Sequence, residues 1–372
     1  MQAVRRGLQV TARTTADGLR PRTTSGGVGS APEVDMPWLQ SPITGALCTT
    51  VFIAVGCASS DSGKSPTTGL DSAPQDTGAP PYDPSQSLAA NCWSDINSAA
   101  AGFPDYEALG MVPGSCSGSS HQSIGTVERL VFLGDSVTAG TPPTLEDDVY
   151  RAVLTRAMQE RFGEGLIVDN CSKFGARTDD FLPSQIPECF PDVEDRHTLV
   201  VATNGGNDLF AAAEVVLEGG SEEDGLAVLE RAVEHHRAAA MWFKDNPELF
   251  PGGVAVVLAN VYEFTDTTGH LSGCDLADGL GFGGQVDAVV EATQYLNGAY
   301  AEVAVATGTD MLFMNENFCG HGFGRLEADG ACYRGADAEL WFDPTCIHPS
   351  TEGHAAISAM FAEVVDVARG AR

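Results

Sequence analysis

The chain has 372 residues, of which 43% are hydrophobic, so it can bury a packed core and is not a disordered chain. It carries 20 Lys and Arg against 51 Asp and Glu, a net charge of −31. A surface of that sign repels nucleic acid and anionic surfaces, so we exclude nucleic-acid binding. We attribute the charge to solubility or adaptation to salt water rather than to a substrate.

The first 57 residues differ in character from the rest. They contain an apolar run, 43–57, that is short for a membrane span and predicts the core of an export signal. Its end, Ala54-Val-Gly-Cys57, resembles a bacterial lipoprotein box with Cys57 as the lipidated residue, although Leu, Val or Ile is usual in place of Ala54. The long stretch before the run makes Met36 a candidate for the true start. The other interpretation is an ordinary buried segment.

Residues 58–88 consist almost entirely of Ser, Thr, Asp, Gly and Pro. Such a composition offers too little apolar surface to stabilise a fold. It therefore predicts a disordered tether between a lipid anchor and a folded domain.

Eight cysteines follow Cys57, and an even number behind an export signal predicts disulfides in an oxidising compartment. The sequence contains no Cys-x-x-Cys pair, so zinc and redox motifs are not indicated. Connectivity does not follow from sequence alone. The spacing favours Cys92 with Cys116, Cys171 with Cys189 and Cys319 with Cys332, which leaves Cys274 for Cys346.

From residue 128 onward, short apolar runs alternate with amphipathic stretches, which is typical of a parallel sheet covered by helices on both faces. The predicted strands are 129–133, 166–168, 198–203, 254–260 and 311–314. The predicted helices are 147–162, 222–244, 285–307 and 352–369, with Thr351 and the Ser221-x-x-Asp224 pair as N-cap candidates. Residues 89–127 are interpreted as a disulfide-tied extension of one domain, 89–372.

Ligands of an open parallel sheet bind beyond the carboxyl ends of its strands, so the residues at those ends are candidates for chemistry. Ser136 follows the first predicted strand in Gly-Asp-Ser, and Gly175 follows the second. Asn207 follows the third in Asn-Gly-Gly-Asn, and His348 precedes the final helix. These residues supply a nucleophile, a backbone donor, an amide donor and a base.

In this order the four blocks resemble the SGNH hydrolases, also called the GDSL esterase/lipase family, over roughly residues 128–368. The resemblance implies a three-layer α/β/α sandwich with a parallel sheet of about five strands, a flavodoxin-like fold. It implies a serine esterase in which His348 takes the proton of Ser136 as the serine attacks an ester carbonyl. The oxyanion hole would consist of the Ser136 and Gly175 N–H groups and the Asn207 amide.

The acid behind the histidine departs from the family pattern. The family usually places an Asp three residues before the His, where this chain has Thr345, and Asp343 lies five residues before it. We expect Asp343 to complete the triad, because a buried imidazolium gains most from a full negative charge. The alternatives are a backbone carbonyl or the Thr345 hydroxyl.

The family handles several kinds of ester, so short acyl esters, acetylated carbohydrate and lipids all remain open as substrates. Phe174, Tyr262 and Phe264 are candidates for the rim of an acyl pocket or, equally, for loop anchors. We expect no cofactor and no metal, because the sequence shows neither a calcium loop nor metal-ligand spacing.

We expect a monomer that is exported to the periplasm or cell surface and either lipid-anchored at Cys57 or secreted. One alternative function is a surface binding protein that keeps the hydrolase scaffold without turnover. Within enzymes, the alternative is a lipase or phospholipase.

Overall fold

The computed structural model describes residue 83 and residues 85–271, 273–274 and 287–370. The predicted leader, with Met36 and Cys57, lies outside these residues, as does most of the predicted tether. The end of that tether contacts the folded domain, because the N–H of Asp83 donates to Oδ1 of Asn91 at 2.8 Å and Ser87 caps the first helix. None of the described helices has both the length and the apolarity needed to cross a bilayer.

The described domain is organised by one sheet of seven strands, which are β1 (Pro113–Ser115), β2 (Gly118–Ser119), β3 (Arg129–Gly134), β4 (Ile167–Asn170), β5 (Thr198–Thr203), β6 (Val254–Ala259) and β7 (Asp310–Leu312). Their order across the sheet is β1-β2-β7-β6-β5-β3-β4. Neighbours from β7 to β4 pair in parallel, which confirms the predicted α/β fold. Two short antiparallel strands, which were not predicted, extend the edge beside β7.

The helices are α1 (Leu88–Cys92), α2 (Tyr106–Leu109), α3 (Ser136–Ala139), α4 (Tyr150–Phe162), α5 (Ile186–Cys189), α6 (Gly206–Leu217), α7 (Glu222–Asp245), α8 (Asp287–Thr307), α9 (Met314–Phe318) and α10 (Thr351–Ala368). The four predicted helices correspond to α4, α7, α8 and α10. The capping box of Ser221 and Asp224 is formed, but Ser350 caps α10, so the prediction of Thr351 is wrong. Helix α6 was missed because it begins at consecutive glycines, which mark turns.

The core lies on both faces of the sheet, since alternate residues of a strand point to opposite sides. On β3, Leu130 and Phe132 pack with residues of α4 and α10, whereas Val131 and Leu133 pack with residues of α7. These two helical layers and the sheet between them form the expected three-layer sandwich. Strand β4 departs from the predicted two-sided burial, because it lies at the edge of the sheet and is partly exposed.

All four predicted disulfides are formed. They join Cys92 to Cys116, Cys171 to Cys189, Cys274 to Cys346 and Cys319 to Cys332. The first links α1 to the turn between β1 and β2, so it closes a loop within the N-terminal segment 89–127.

The order of the strands places a crevice at the carboxyl ends of β3 and β5. The chain leaves β3 for β4 on one side and reaches β5 on the other, so the connections diverge at this point. Gly134 and Thr203 are paired at this end of the two strands. Ser136 and Asn207 both follow these ends within a few residues.

Candidate active site

Ser136 is the first residue of α3, directly after β3. The Oδ1 atom of Asp135 accepts the N–H of Val137 at 3.0 Å and caps this short helix. Gly134 has a φ of 130°, and a Cβ there would lie 2.3 Å from the carbonyl oxygen of Thr203. Only glycine therefore fits the turn that presents Ser136 at the crevice.

Gln185 holds the backbone just before this turn. Its Oε1 accepts the N–H of Gly134 at 2.7 Å, and its Nε2 donates to the Gly134 carbonyl at 2.9 Å. The side chain is fully buried at the end of a π-helical turn, Phe181–Gln185. No sequence pattern indicates Gln185, because the contact joins residues 51 positions apart.

His348 meets Ser136 from the loop that precedes α10. Its Nε2 lies 2.9 Å from Oγ of Ser136, in the arrangement that a nucleophile and its base require. The N–H of Asp343 donates to the His348 carbonyl at 2.9 Å and closes the loop on itself. The Tyr262 hydroxyl donates to the Ile347 carbonyl at 2.7 Å and ties the loop to the segment after β6.

The Thr345 hydroxyl lies between Asp343 and His348. Its Oγ1 is 2.9 Å from Nδ1 of His348 and 2.5 Å from Oδ1 of Asp343. Within the part of the chain that the structure describes, no hydrogen bond joins the Asp343 carboxylate directly to the imidazole. The carboxylate instead turns back on its own loop, where Oδ1 also accepts the N–H of Thr345 at 2.8 Å.

Asn207 lines the same pocket as Ser136 and His348. Its Nδ2 donates to the carbonyl of Ala176 at 2.9 Å, which ties the turn after β4 to the start of α6. Gly175 precedes Ala176 with a left-handed φ of 71°. Gly175 itself is exposed and is not among the residues that line the pocket.

Two buried acids, Asp135 and Asp208, brace the loops around the site. Asp135 also accepts the Thr203 hydroxyl at 3.2 Å, and Asp208 accepts both the N–H and the hydroxyl of Thr178. Burial raises the pKa of Asp135 to about 7 and the pKa of Asp208 to about 6.

A cavity of about 60 Å³ opens beside Ser136. Tyr262 and Phe264 line it, whereas Phe174 does not and is 64% exposed. The other apolar lining residues are Val137, Leu209, Phe210, Val261, Val289, Met314 and Ile347. Leu209, Val289 and Met314 come from three different helices, so no sequence pattern could have grouped them.

A metal is not suggested by the side chains. In the described ranges, no three His, Cys, Asp or Glu side chains are grouped so that they could hold a metal ion.

A sequence profile of the GDSL-like lipase/acylhydrolase family matches residues 132–356. The match spans more than half of the chain and includes Ser136, Gly175, Asn207 and His348. The chain belongs to the GDSL-like lipase/acylhydrolase family. The protein is therefore an ester hydrolase of the esterase/lipase type, as the resemblance implied.

This GDSL-family hydrolase is similar to several solved structures at low sequence identity. An extracellular lipase from Streptomyces rimosus is 20% identical, with a TM-score of 0.41 over 66% of this chain and 99% of the lipase. Phospholipase A1 from Streptomyces albidoflavus is 19% identical, with a TM-score of 0.43 over 66% and 99% of the two chains. The acetyl xylan esterase AlAXEase is 12% identical, with a TM-score of 0.41 over 64% and 99%. No curated protein sequence matches the hydrolase.

The structure predicts how His348 titrates. Burial lowers its pKa below the ordinary value of 6.5, and the negative charge of Asp343 partly opposes that shift. The histidine should therefore be neutral, and able to accept a proton, throughout the neutral pH range. Replacing Asp343 by Asn removes the charge that favours the imidazolium, so the pKa of His348 should fall further.

An NMR titration of the His348 ring in the native protein and in Asp343→Asn measures both values. NMR is preferable to a pH profile of the rate, because Asp135, with its pKa of about 7, ionises nearby in the same range. A native pKa above 6.5, or an upward shift in Asp343→Asn, would contradict the prediction.

Proposed function

We propose that this hydrolase is an exported serine esterase that cleaves carboxylic esters through an acyl-enzyme on Ser136, with His348 as the general base. The observation that carries the proposal is the 2.9 Å contact between Ser136 Oγ and His348 Nε2 inside the apolar pocket. The contact stands at the carboxyl ends of β3 and β5, where ligands of such sheets bind.

In the first half of the reaction, Nε2 of His348 takes the hydroxyl proton of Ser136 as Oγ forms a bond to the ester carbonyl carbon. The carbonyl becomes an oxyanion. His348 then gives the proton to the departing alcohol, and the bond between carbonyl carbon and alcohol oxygen breaks. In the second half, Nε2 of His348 takes a proton from water as the water oxygen bonds to the acyl carbon. The bond between that carbon and Oγ of Ser136 then breaks, His348 returns the proton to Oγ, and the acid leaves.

The oxyanion would be held by the N–H of Ser136, the N–H of Gly175 and the side chain of Asn207. Ser136 stands in the first turn of α3, where a backbone N–H has no acceptor within the helix. The amide nitrogen of Asn207 carries two hydrogens, and Ala176 accepts only one of them. The turn held by Asn207 contains Gly175, which brings that backbone donor to the same end of the sheet.

The pocket supports an uncharged acyl group of modest length. At about 10–15 Å³ for each water-sized group, its volume of about 60 Å³ accepts on the order of five heavy atoms. Apart from Thr203, Asn204 and the site residues, its lining is apolar, so a charged acyl group would lose hydration without gaining an oppositely charged partner. We therefore propose short acyl esters, with sugar esters possible at the alcohol side, rather than long-chain lipids.

Export is supported by four disulfides in the described domain, since such bonds persist in oxidising compartments. Anchoring through a lipid on Cys57 remains part of the proposal, on the sequence features alone.

The proposed role of Ser136 as the nucleophile is testable by covalent labelling. A serine-directed fluorophosphonate should label the native protein once per chain, and Ser136→Ala should abolish both labelling and hydrolysis of p-nitrophenyl butyrate. Mass spectrometry and a colorimetric rate assay measure the two effects. Ser94→Ala, which changes an exposed serine elsewhere, is the control and should label normally. A folded native protein that neither labels nor hydrolyses any ester would instead favour a binding protein on a hydrolase scaffold.

The proposed role of Asn207 in the oxyanion hole is testable by removing its amide. Asn207→Ala removes one donor, which typically contributes about 3 kcal/mol to the transition state, so kcat should fall by about 10²–10³-fold with KM little changed. Asn317→Ala is the matched control, because Asn317 also donates its amide to backbone carbonyls but is not among the pocket-lining residues. It should affect urea stability more than kcat. A kcat for Asn207→Ala within threefold of the native value would remove Asn207 from the oxyanion hole.

The proposed preference for short acyl chains is testable with a series of esters. Across p-nitrophenyl esters from acetyl to palmitoyl, kcat/KM should peak at about four to six carbons and fall for longer chains, whose ends stay outside the cavity. Val289→Phe should shift the peak to acetyl by filling the pocket, whereas Val216→Phe, at a partly exposed position of α6, should not. A peak at palmitoyl would overturn the short-chain proposal and favour a lipase.

A further inference from the structure

The base of this site is connected to its acid through a third side chain. Nδ1 of His348, Oγ1 of Thr345 and Oδ1 of Asp343 lie in series, with separations of 2.9 Å and 2.5 Å. The usual direct contact between carboxylate and imidazole is replaced by a hydroxyl bridge.

The bridge can have only one polarity when His348 acts as a base. Nε2 must be unprotonated to accept the proton of Ser136, so Nδ1 carries the ring hydrogen and must donate it. The Thr345 hydroxyl accepts that hydrogen and gives its own to Oδ1 of Asp343, which is an acceptor when ionised. Each hydrogen of the series therefore points toward the carboxylate.

Burial makes the carboxylate effective at this distance. Asp343 is 3% exposed, and its Oδ2 is buried with no hydrogen-bond partner. Its charge is therefore only partly compensated, by the hydroxyl and N–H of Thr345. This carboxylate would stabilise a positive charge that forms on His348 during the reaction.

The loop holds Thr345 in this position from both sides. The N–H of Cys346 donates to the Asp343 carbonyl at 3.0 Å, and Cys346 adopts a left-handed φ of 74°. Cys346 is fully buried and bonded to Cys274. The side chain of Thr345 is β-branched, which restricts its χ1 rotation and favours one orientation of the hydroxyl.

We propose that Thr345 is a positioning residue, whose hydroxyl selects the reactive tautomer of His348 and transmits the charge of Asp343 to it. The inference rests on the proposed role of His348 as the base. No proton is transferred along the bridge. Nδ1 of His348 and Oγ1 of Thr345 remain the donors of its two hydrogen bonds, and both bonds shorten as the imidazolium forms. Asp343 therefore acts on His348 through Thr345 and not independently of it.

A double-mutant cycle tests this inference. Thr345→Val and Asp343→Asn should each lower kcat by about 10–100-fold with KM little changed, as losses of groups that orient a functional histidine do. The double variant should be within about threefold of the weaker single variant, because each change interrupts the same series. The proposal would be overturned if the kcat losses of the two single variants multiplied in the double variant, or if Thr345→Val had the native kcat.

Two further variants separate the hydroxyl from the shape of the side chain. Thr345→Ser keeps the hydroxyl and should recover most of the kcat lost in Thr345→Val. Thr268→Val removes a comparable hydroxyl hydrogen bond, 2.7 Å to the Thr265 carbonyl, from a loop whose residue 268 does not line the pocket, and should leave kcat as it is. A Thr345→Ser enzyme as slow as Thr345→Val would overturn the role of the hydroxyl.

The decisive readout does not depend on turnover. Nitrogen-15 shifts of the His348 ring should show the tautomer protonated at Nδ1 in the native protein and in Thr345→Ser, and a larger fraction protonated at Nε2 in Thr345→Val. An unchanged tautomer in Thr345→Val would contradict the inference. Because this measurement uses no substrate, it decides the role of Thr345 even if the fluorophosphonate experiment shows that Ser136 is not a nucleophile.

Discussion

The contact between Ser136 and His348 joins side chains 212 residues apart and depends on how two helices pack against one strand. Ser136 begins the short helix after β3, and His348 lies just before α10, which packs with α4 on one face of the sheet. Val137 and Phe361 belong to the same buried cluster as Leu130. Because such a core is close-packed, it keeps Ser136 and His348 at a fixed separation. A shift of α10 would break the contact between them.

The chemistry of the site depends on burial more than on the large negative charge of the chain. Burial lowers the pKa of His348, which favours its neutral form, and raises that of Asp135 to about 7, so this carboxyl changes charge within the neutral pH range. A neutral Asp135 does not repel an oxyanion, while it still accepts the N–H of Val137. Asp343 is the acid placed to stabilise a charged His348, and Thr345 separates the two.

The N-terminal extension supports the wall of the pocket. Its Tyr106 hydroxyl donates to Oε1 of the fully buried Glu316 at 2.5 Å, and Asn260 donates to Oε2 at 2.8 Å. Asn260 directly precedes Val261, and Glu316 stands two residues after Met314, and both neighbours line the cavity. The disulfide between Cys92 and Cys116 fixes the same extension, so segments far from Ser136 in sequence help to shape the proposed acyl site.

The sequence by itself determined the features that repeat locally or stand at strand ends. Apolar runs and helical periodicity predicted the five parallel strands and α4, α7, α8 and α10, and spacing predicted the four disulfides. Ser136, Asn207 and His348 were predicted as site residues because the carboxyl ends of parallel strands converge. The sequence did not reveal β1, β2 or α6, whose short or glycine-initiated segments carry no period.

Only the tertiary structure decided that Gln185 clamps Gly134, which residues line the pocket, and that Thr345 stands between Asp343 and His348. Those outcomes depend on side-chain directions set by packing across the fold and by a loop turned at Cys346, and a one-dimensional pattern does not encode them.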